Sequence, residues 1–272
     1  MTRVGPKAGV SVLGINVDPI DYTSAVAAII SAAKDGRSFG VTALAVHGIM
    51  TGVLDREHRY RLNQFSLVVP DGQPVRWALN ARHRARLRDR VYGPKLMLAV
   101  CEAAANEGIP VGLFGSSPEV LKPLATNLGR RLPALKIVCT IPSRFRRVSE
   151  EERDEQLREI KDTGTRILFV ALGCPRQEVW VYENLTRLSM PMLAVGAAFD
   201  FHAGTLSQAP AFLQRAGLEW AYRLAKEPRR LWRRYVLLNP AYLSLLLLQL
   251  LRFPRWDRVD VGEPPTRDLR FG

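Results

Sequence analysis

The stretch that decides the fold is Arg166-Ile-Leu-Phe-Val-Ala171, which runs directly into Leu172-Gly-Cys-Pro-Arg-Gln-Glu178. The first part is an uninterrupted apolar run, which predicts a buried strand. Open α/β sheets bind ligands in the crevice beyond the carboxyl ends of their strands, so the polar residues that follow can contact an anion or a sugar. A strand-to-helix turn would account for the glycine, the proline and the glutamate. It leaves Arg176 and Gln177 unexplained, and these two residues favour a binding site.

Similar apolar runs recur along the chain, with helical patterns between them. This alternation is typical of a parallel sheet with helices on both faces, so the sequence predicts a Rossmann-like α/β fold. The predicted strands are 39–44, 66–69, 110–114, 136–140, 166–172 and 192–198, and the predicted helices are 21–34, 94–106, 118–131, 150–161 and 176–188.

The character of the sequence changes after the α/β pattern ends. Residues 1–207 form the predicted α/β domain. Residues 208–256 lack a convincing strand and carry a series of arginines followed by the apolar run 235–251, which predicts a helical appendage. Residues 257–272 are polar and include two adjacent prolines, so a disordered tail is predicted there.

Composition narrows the class of protein. The 272 residues are 47% hydrophobic and carry a net charge of +13, which favours polyanions, nucleotides or an anionic membrane face as partners. Three widely spaced cysteines without a C-x-x-C pair argue against a disulfide framework or a zinc site and favour a reducing cytosol. Residues 1–18 lack an apolar core with a cleavage site, so we expect no secretory signal.

Asp71 stands between a predicted strand and the residues that follow it. An aspartate there can cap the next helix by accepting hydrogen bonds from its first N–H groups. It can equally serve as a general base if it lies in the crevice within reach of a hydroxyl. Position leaves both readings open.

Two further segments have the residue types of an anion site. Arg90 precedes a glycine by three residues, and a guanidinium binds phosphate bidentately, although a solvated surface residue is the alternative. Residues 111–117 end a strand and open a helix, as a phosphate or ribose site requires. They match neither G-x-G-x-x-G nor the Walker pattern, so a dinucleotide fold or a nucleoside triphosphatase is not supported.

No metal site is predicted. Asp200 and His202 follow an apolar run, but no third ligand stands nearby and the sequence has no Asp-x-Asp pair, so a loop is favoured there. Enzymes that expel a nucleoside diphosphate neutralise the developing charge with a divalent cation or with cationic side chains. Arginines are the available choice in this sequence.

Residues 219–235 interleave arginines with tryptophans and tyrosines, which prefer an apolar–aqueous boundary. The apolar run 235–251 is interrupted by polar residues and is short for the roughly 20 residues that a bilayer core requires. A helix that lies in the membrane interface fits better. A core helix packed on the sheet would explain the leucines but not the density of arginines.

Several of these segments occur together in a recognisable order. They are Pro70-Asp71-Gly72, Arg90-Val-Tyr-Gly93, Phe114-Gly115, the stretch 172–178, residues 195–200, Ala203-Gly204, Ala209-Pro210, residues 217–224 and residues 227–229. In order and approximate spacing, from about residue 39 to residue 242, they resemble the WecG/TagA/CpsF glycosyltransferases, family 26. The segments 172–178 and 217–224 carry most of the specificity.

The resemblance implies the chemistry. Such enzymes move a sugar of the N-acetylmannosamine type from UDP to an undecaprenyl-diphosphate-linked acceptor, with inversion and without a metal or other cofactor. It implies that Asp71 is the base, Gln177 a sugar or acceptor contact and Arg90 a substrate contact. The further binding residues that it suggests are Thr42, His47, Gly72, Gly93, Gly115, Gly173, Pro175, Arg176, Glu178, Asp200, Arg223, Arg230 and Arg233. The resemblance implies that the last three belong to the C-terminal appendage, which in that family closes over the site and helps to dock on the membrane.

The resemblance also implies a cytoplasmic protein, peripheral on the inner membrane face, and leaves a homo-oligomer open. One departure is Leu44, where the family usually has asparagine, so either His47 substitutes or the substrate differs. Two other classes stay open: a basic nucleic-acid-binding protein, and an integral membrane protein anchored by residues 235–251. No nucleic-acid-binding signature accompanies the basic charge, which disfavours the first.

Overall fold

The computed structural model describes residues 9–83, 85–210, 212–213, 217–251 and 262–272. The side chains of residues 82, 83, 230, 233 and 234 are outside this description. A short antiparallel hairpin, β1 (Val10–Val12) and β2 (Ile15–Val17), precedes the main sheet.

The main sheet has six parallel strands in the order β4–β3–β8–β7–β5–β6, which confirms the predicted Rossmann-like α/β class. The chain runs outward from β3 to β4 on one side and from β5 to β6 on the other, and β7 and β8 fill the middle. Connections that leave in opposite directions open a crevice above the central strands. The strands are β3 (Phe39–Leu44), β4 (Leu67–Pro70), β5 (Val111–Gly115), β6 (Ile137–Ile141), β7 (Ile167–Ala171) and β8 (Pro191–Ala194).

Helices connect the strands and cover the sheet. They are α1 (Tyr22–Lys34), α2 (Val46–Leu54), α3 (Arg56–Asn63), α4 (Gln73–His83), α5 (Gly93–Asn106), α6 (Pro118–Arg131), α7 (Glu150–Asp162), α8 (Arg176–Asn184), α9 (Ala198–Ala203), α10 (Glu219–Lys226) and α11 (Pro228–Leu250).

Local sequence signals set several helix starts. Ser149 caps α7 through a capping box with Glu152, in which each side chain accepts a hydrogen bond from the other residue's N–H group. Ser117 occupies the N-cap of α6 with a proline directly after it. Both starts agree with the sequence predictions.

The central strands are buried on both faces. In β7, Leu168 and Val170 point into one hydrophobic core, and Ile167, Phe169 and Ala171 point into the other. Successive side chains of a strand point to opposite faces, so a strand between two cores must be apolar at every position. This burial explains the uninterrupted run in the sequence.

The C-terminal helices lie against this body. Tyr242 of α11 is fully buried, and its hydroxyl donates a hydrogen bond to the Pro74 carbonyl at 3.2 Å. Gln249 accepts one from the Leu13 N–H at 3.1 Å. The intervening Leu243 and Leu247 are more than half exposed. Helix α11 therefore has one packed face and one exposed apolar face, and it packs against α2.

Within the described part of the chain, no helix combines the length and the apolar character needed to cross a membrane.

The C-terminal residues correct one prediction. Residues 257–261 lie outside the described residues, but residues 262–272 pack on the domain instead of forming a disordered tail. Asp268 pairs with Arg153 at 2.8 Å, and the N–H groups of Leu269 and Arg270 donate to the Glu183 carboxylate. A polar composition did not reveal these partners because they belong to α7 and α8, far away in sequence.

Some helices and strands of the structure were not predicted from the sequence, or were predicted with different bounds. The β1–β2 hairpin and helices α2, α3 and α4 were not predicted. Strand β8 ends at Ala194 rather than at 198, because the chain turns at Gly196, which has a φ of +52°, and α9 begins at Ala198. Asp200 and His202 accordingly lie on a short helix and not on the predicted loop.

A substitution at Gly115 should destabilise the protein. Its φ is +105°, and a Cβ atom there would lie 2.5 Å from the Ala171 carbonyl oxygen of β7. Strained backbone and overpacking each cost about 1–3 kcal/mol, so we expect Gly115→Ala to lower the free energy of unfolding by at least ~2 kcal/mol in urea denaturation.

Gly129→Ala is the matched control, because Gly129 lies in α6 and an added Cβ would meet no atom within 4 Å. It should stabilise the protein by roughly 0.5–1 kcal/mol. Equal effects of the two substitutions would contradict the packing role of Gly115.

Candidate active site

A cleft of about 1000 Å³ opens at the carboxyl ends of the central strands and continues beneath α10 and α11. Many residues that the sequence singled out line this cleft. They are His47, Asp71, Gly72, Arg90, Gly173, Arg176, Gln177, Glu178, Asp200 and Arg223.

Asp71 lies at the end of β4, where its N–H donates to the Leu44 carbonyl at 3.0 Å. Its carboxylate accepts a hydrogen bond from the Gly93 N–H, at the start of α5, at 3.2 Å. The helix that follows Asp71 in sequence, α4, starts instead from the Gly72 carbonyl, which accepts from Arg76. The Asp71 carboxylate therefore accepts its described hydrogen bond from α5. A local cap would instead accept from the first N–H groups of α4.

The Asp71 carboxyl is largely withdrawn from solvent, with 17% of its side chain exposed. This burial is the main cause that raises the pKa of Asp71 to about 6. Arg90 opposes the rise, and the negative charge of Glu219 adds to it. At pH 7 the group is mostly ionised, yet it binds a proton far more readily than an ordinary aspartate, as a general base requires.

Arg90 is held in place from several sides. The neighbouring Val91 N–H donates to the Pro70 carbonyl at 2.9 Å, which attaches this segment to the end of β4. The guanidinium stacks on the Tyr92 ring, with its carbon 4.5 Å from the ring centroid, and lies 3.8 Å from Asp71 Oδ1. It also forms a short ion pair with Glu219 of α10.

Helix α10 brings two charged residues to the same place. Glu219 and Arg223 are four residues apart and therefore share one face of the helix. Arg223 lowers the pKa of Asp71, which places its positive charge near the carboxylate. The Arg223 Nε is buried and has no hydrogen-bond partner among the described residues. Such a donor can serve a bound anion.

Gln177 and Glu178 lie in the first turn of α8 and are both buried. The Gln177 Nε2 donates to Glu178 Oε1 at 2.8 Å, and the Thr42 hydroxyl donates to the same oxygen at 3.2 Å. Burial raises the pKa of Glu178, although these hydrogen bonds oppose the rise. The Gln177 Oε1 has no partner among the described residues, so a ligand hydroxyl can donate to it.

The other predicted binding residues have different surroundings. Thr42 is fully buried behind Glu178, and Gly93 contributes its N–H to Asp71. Gly115 presses against β7, and Pro175 precedes α8 at its N-cap. These four residues lie outside the cleft lining. The side chains of Arg230 and Arg233 lie outside the described residues.

Sequence reasoning missed Glu219 as a site residue. It noted the glutamate only as part of the segment 217–224. The signal was present in the four-residue spacing from Arg223, which puts both charges on one helix face. That this face turns towards Asp71 depends on how α10 packs.

The Asp200–His202 pair does not form a metal cluster with neighbours. The His202 Nε2 lies 2.8 Å from the Pro94 carbonyl oxygen. Across the described ranges, no group of three or more histidine, cysteine, aspartate or glutamate side chains could hold a metal ion. Among the side chains that the structure describes, the guanidinium groups that line the cleft are those of Arg90, Arg176 and Arg223.

The chain matches a protein-family model over most of its length. Residues 10–255 match the model described as "Glycosyl transferase WecG/TagA/CpsF family", which covers most of the chain. The match confirms the resemblance inferred from the sequence motifs.

Replacing Asp71 with asparagine should change how stability depends on pH. The pKa of Asp71 rises from 3.8 to about 6 on folding, so between these values the folded protein keeps a proton that the unfolded chain has released. Stability is therefore lost as the pH rises through this window. Asparagine does not titrate, so we expect the Tm of Asp71→Asn relative to wild type to increase by a few degrees between pH 4 and pH 7.

The measurement is thermal unfolding at pH 4, 5, 6 and 7. Asp162→Asn, at the exposed end of α7, provides the matched control. A Tm difference for Asp71→Asn that stays constant across this pH range would show that the carboxyl is not perturbed.

Proposed function

The chain belongs to the WecG/TagA/CpsF family of glycosyltransferases, and we propose that it transfers a sugar from a UDP-sugar to a polyprenyl-diphosphate-linked acceptor in cell-surface polysaccharide biosynthesis. The sugar in this proposal is N-acetylmannosamine-like or a related hexose. The observation that carries the proposal is the Asp71 carboxylate, which lies in a large cleft between guanidinium groups and has a raised pKa.

In the proposed reaction Asp71 is the general base. It takes the proton of the acceptor hydroxyl while the hydroxyl oxygen attacks the anomeric carbon in line with the departing phosphate oxygen. A new C–O bond forms, the bond to UDP breaks with its electron pair on the phosphate, and the configuration inverts.

The leaving diphosphate gains negative charge during this step. Fixed cations can stabilise that charge without the cost of reorienting water. Arg223, with its unpartnered Nε, and Arg176, on the cleft wall, are placed for this role. The proposal therefore assigns charge neutralisation to arginines and not to a metal.

Gln177 is the proposed contact to the sugar or the acceptor. Its Nε2 is engaged by Glu178, which leaves Oε1 to accept a hydrogen bond from a substrate hydroxyl. His47 and Asp200 line the same cleft.

Removing the base should stop catalysis without preventing binding. General bases contribute roughly 10²- to 10⁴-fold to the rate, so we expect Asp71→Asn to lose a factor in this range in UDP release from a UDP-sugar with a short-chain lipid diphosphate acceptor. The Kd for UDP should change by only a few fold. For wild type, kcat/KM should rise as the pH increases through about 6.

Asp162→Asn again serves as the control and should retain the wild-type rate. Normal turnover by Asp71→Asn would refute the assignment of the base.

The proposed site of action is the inner face of the cell membrane, where the protein is peripheral. The exposed face of α11 carries Trp232, Leu243 and Leu247, and α10 adds Trp220. Apolar and aromatic side chains next to basic ones favour an anionic interface.

Vesicle binding tests this placement. Wild type should sediment with vesicles that contain anionic lipid, and the double variant Leu243→Ser/Leu247→Ser should bind at least ~10-fold more weakly because each buried methylene contributes about 0.8 kcal/mol. Phe145→Ser removes an exposed apolar side chain between β6 and α7 and should bind like wild type.

A DNA duplex forms the second arm of the vesicle experiment. Salt-sensitive binding to the duplex in preference to anionic vesicles would favour a nucleic-acid-binding protein instead.

A further inference from the structure

The ion pair between Arg90 and Glu219 joins two distant parts of the chain. Arg90 precedes α5 at the edge of the cleft, and Glu219 begins α10, 129 positions later. Both side chains are close to fully buried, with 11% and 12% exposed. A buried charge is stable only when it is paired, so each of these residues depends on the other.

The Arg90 guanidinium lies close to two carboxylates. On one side it contacts Glu219, and on the other it lies 3.8 Å from Asp71. The Tyr92 ring covers its face. Arg90 therefore has little freedom to turn away from Asp71 while Glu219 holds it.

We propose that Glu219 is a positioning residue for the reaction: its carboxylate, carried by α10, fixes the Arg90 guanidinium beside Asp71 and shares its positive charge between the two carboxylates. The catalytic meaning of this role rests on the proposed function. Glu219 does not itself contact the reacting atoms in this assignment.

The arrangement has a direct electrostatic consequence. An unshared guanidinium at this distance would favour the ionised form of Asp71 more strongly, and a weak base would result. Glu219 reduces that effect, both by its own charge and by engaging Arg90, and it raises the pKa of Asp71.

Other groups also face the Asp71 carboxyl and enter the balance. Arg223 on α10 and the Gly93 N–H at the start of α5 lower its pKa. The further titratable groups around this part of the cleft are Tyr22 of α1, His47 of α2, Asp89 and Tyr92. Glu219 combines a negative charge near Asp71 with an ion pair to the Arg90 guanidinium, whereas Asp89 accepts a hydrogen bond from the Arg90 backbone N–H at 2.8 Å.

A second consequence concerns the substrate. A diphosphate competes with carboxylates for any nearby guanidinium. Because Glu219 keeps Arg90 in place, the diphosphate is left to Arg176 and Arg223, and Asp71 retains its neighbour during the reaction.

The test uses the full chain with 13C-labelled aspartate. The Asp71 carboxyl signal, assigned with Asp71→Asn, is titrated by NMR in wild type and in Glu219→Gln, which keeps the shape of the side chain but removes its charge. We expect the pKa of Asp71 to be about 1 lower in Glu219→Gln, and the rise of kcat/KM with pH to move down by the same amount. Glu219→Asp, which keeps the charge on a shorter side chain, should fall between the two.

Glu102→Gln, on the exposed face of α5, is the matched control and should leave the Asp71 titration unchanged. An Asp71 pKa that is identical in wild type and Glu219→Gln overturns the proposal. Hydrogen exchange of the α10 amides is measured on the same samples. A lower pKa of Asp71 in Glu219→Gln together with rapid hydrogen exchange throughout α10 also overturns the proposal. In that case α10 would have opened, and hydration of the Asp71 carboxyl would by itself have lowered its pKa.

The NMR titration separates this inference from the proposed function. If wild type releases no UDP from any UDP-sugar while the Asp71 pKa still falls in Glu219→Gln, the proposed reaction fails and the positioning role stands. If wild type turns over normally and the pKa does not move, the positioning role alone fails.

Discussion

Burial of the central strands on both faces leaves one place for polar chemistry. Ile167–Ala171 can carry no polar side chain because every position faces one of two hydrophobic cores. A strand such as β7 can present hydrogen-bonding side chains only beyond its end, and the parallel strands all end on the same side of the sheet, where the buried Thr42 of β3 also donates its hydroxyl to Glu178. Asp71 and the first turn of α8 are there for this reason, although more than 100 positions of sequence separate them.

The site contains a series of buried charges, and each of them is stabilised by a neighbouring group of opposite charge or by a hydrogen bond. The Asp71 carboxyl is largely buried, and Arg90 and the Gly93 N–H stabilise its negative charge. Arg90 is also largely buried, and the carboxylate of Glu219 stabilises its positive charge. Each step costs desolvation energy that the next partner offsets, so the reactivity of the first group depends on the last. Helix α10 is thereby part of the chemistry and not only a cover for it.

The sequence allowed the fold class and one side of the site to be predicted, because both follow from local patterns. The apolar run before residue 172 predicts a buried strand, and a strand end predicts the placement of Asp71 and Gln177. The family resemblance rests on the same short motifs. The predicted location of these residues in a common cleft agrees with the structure.

What could not be predicted depends on contacts between remote segments. Nothing near Glu219 in the sequence indicates that it meets Arg90, since that pair forms only after α10 has packed across the cleft. The family resemblance predicts Gly115 as a binding residue, and the structure adds a packing role that the sequence did not indicate, because its φ of +105° and the adjacent Ala171 carbonyl leave no room for a Cβ atom. The polar C-terminal residues looked unstructured because their partners, Arg153 and Glu183, lie on other helices.

Residues 262–272 attach the chain to α7 and α8 at a point that follows α10 and α11 in the sequence. Before this point both helices pack on the domain, since Tyr242 of α11 is fully buried and Glu219 of α10 pairs with Arg90. The domain therefore holds this part of the chain at more than one position along its length. Release of α10 and α11 as a free arm would break the buried contacts of Tyr242 and Glu219 together. The surroundings of Asp71 and the packing of the C-terminal helices therefore depend on each other, because the ion pair between Arg90 and Glu219 belongs to both.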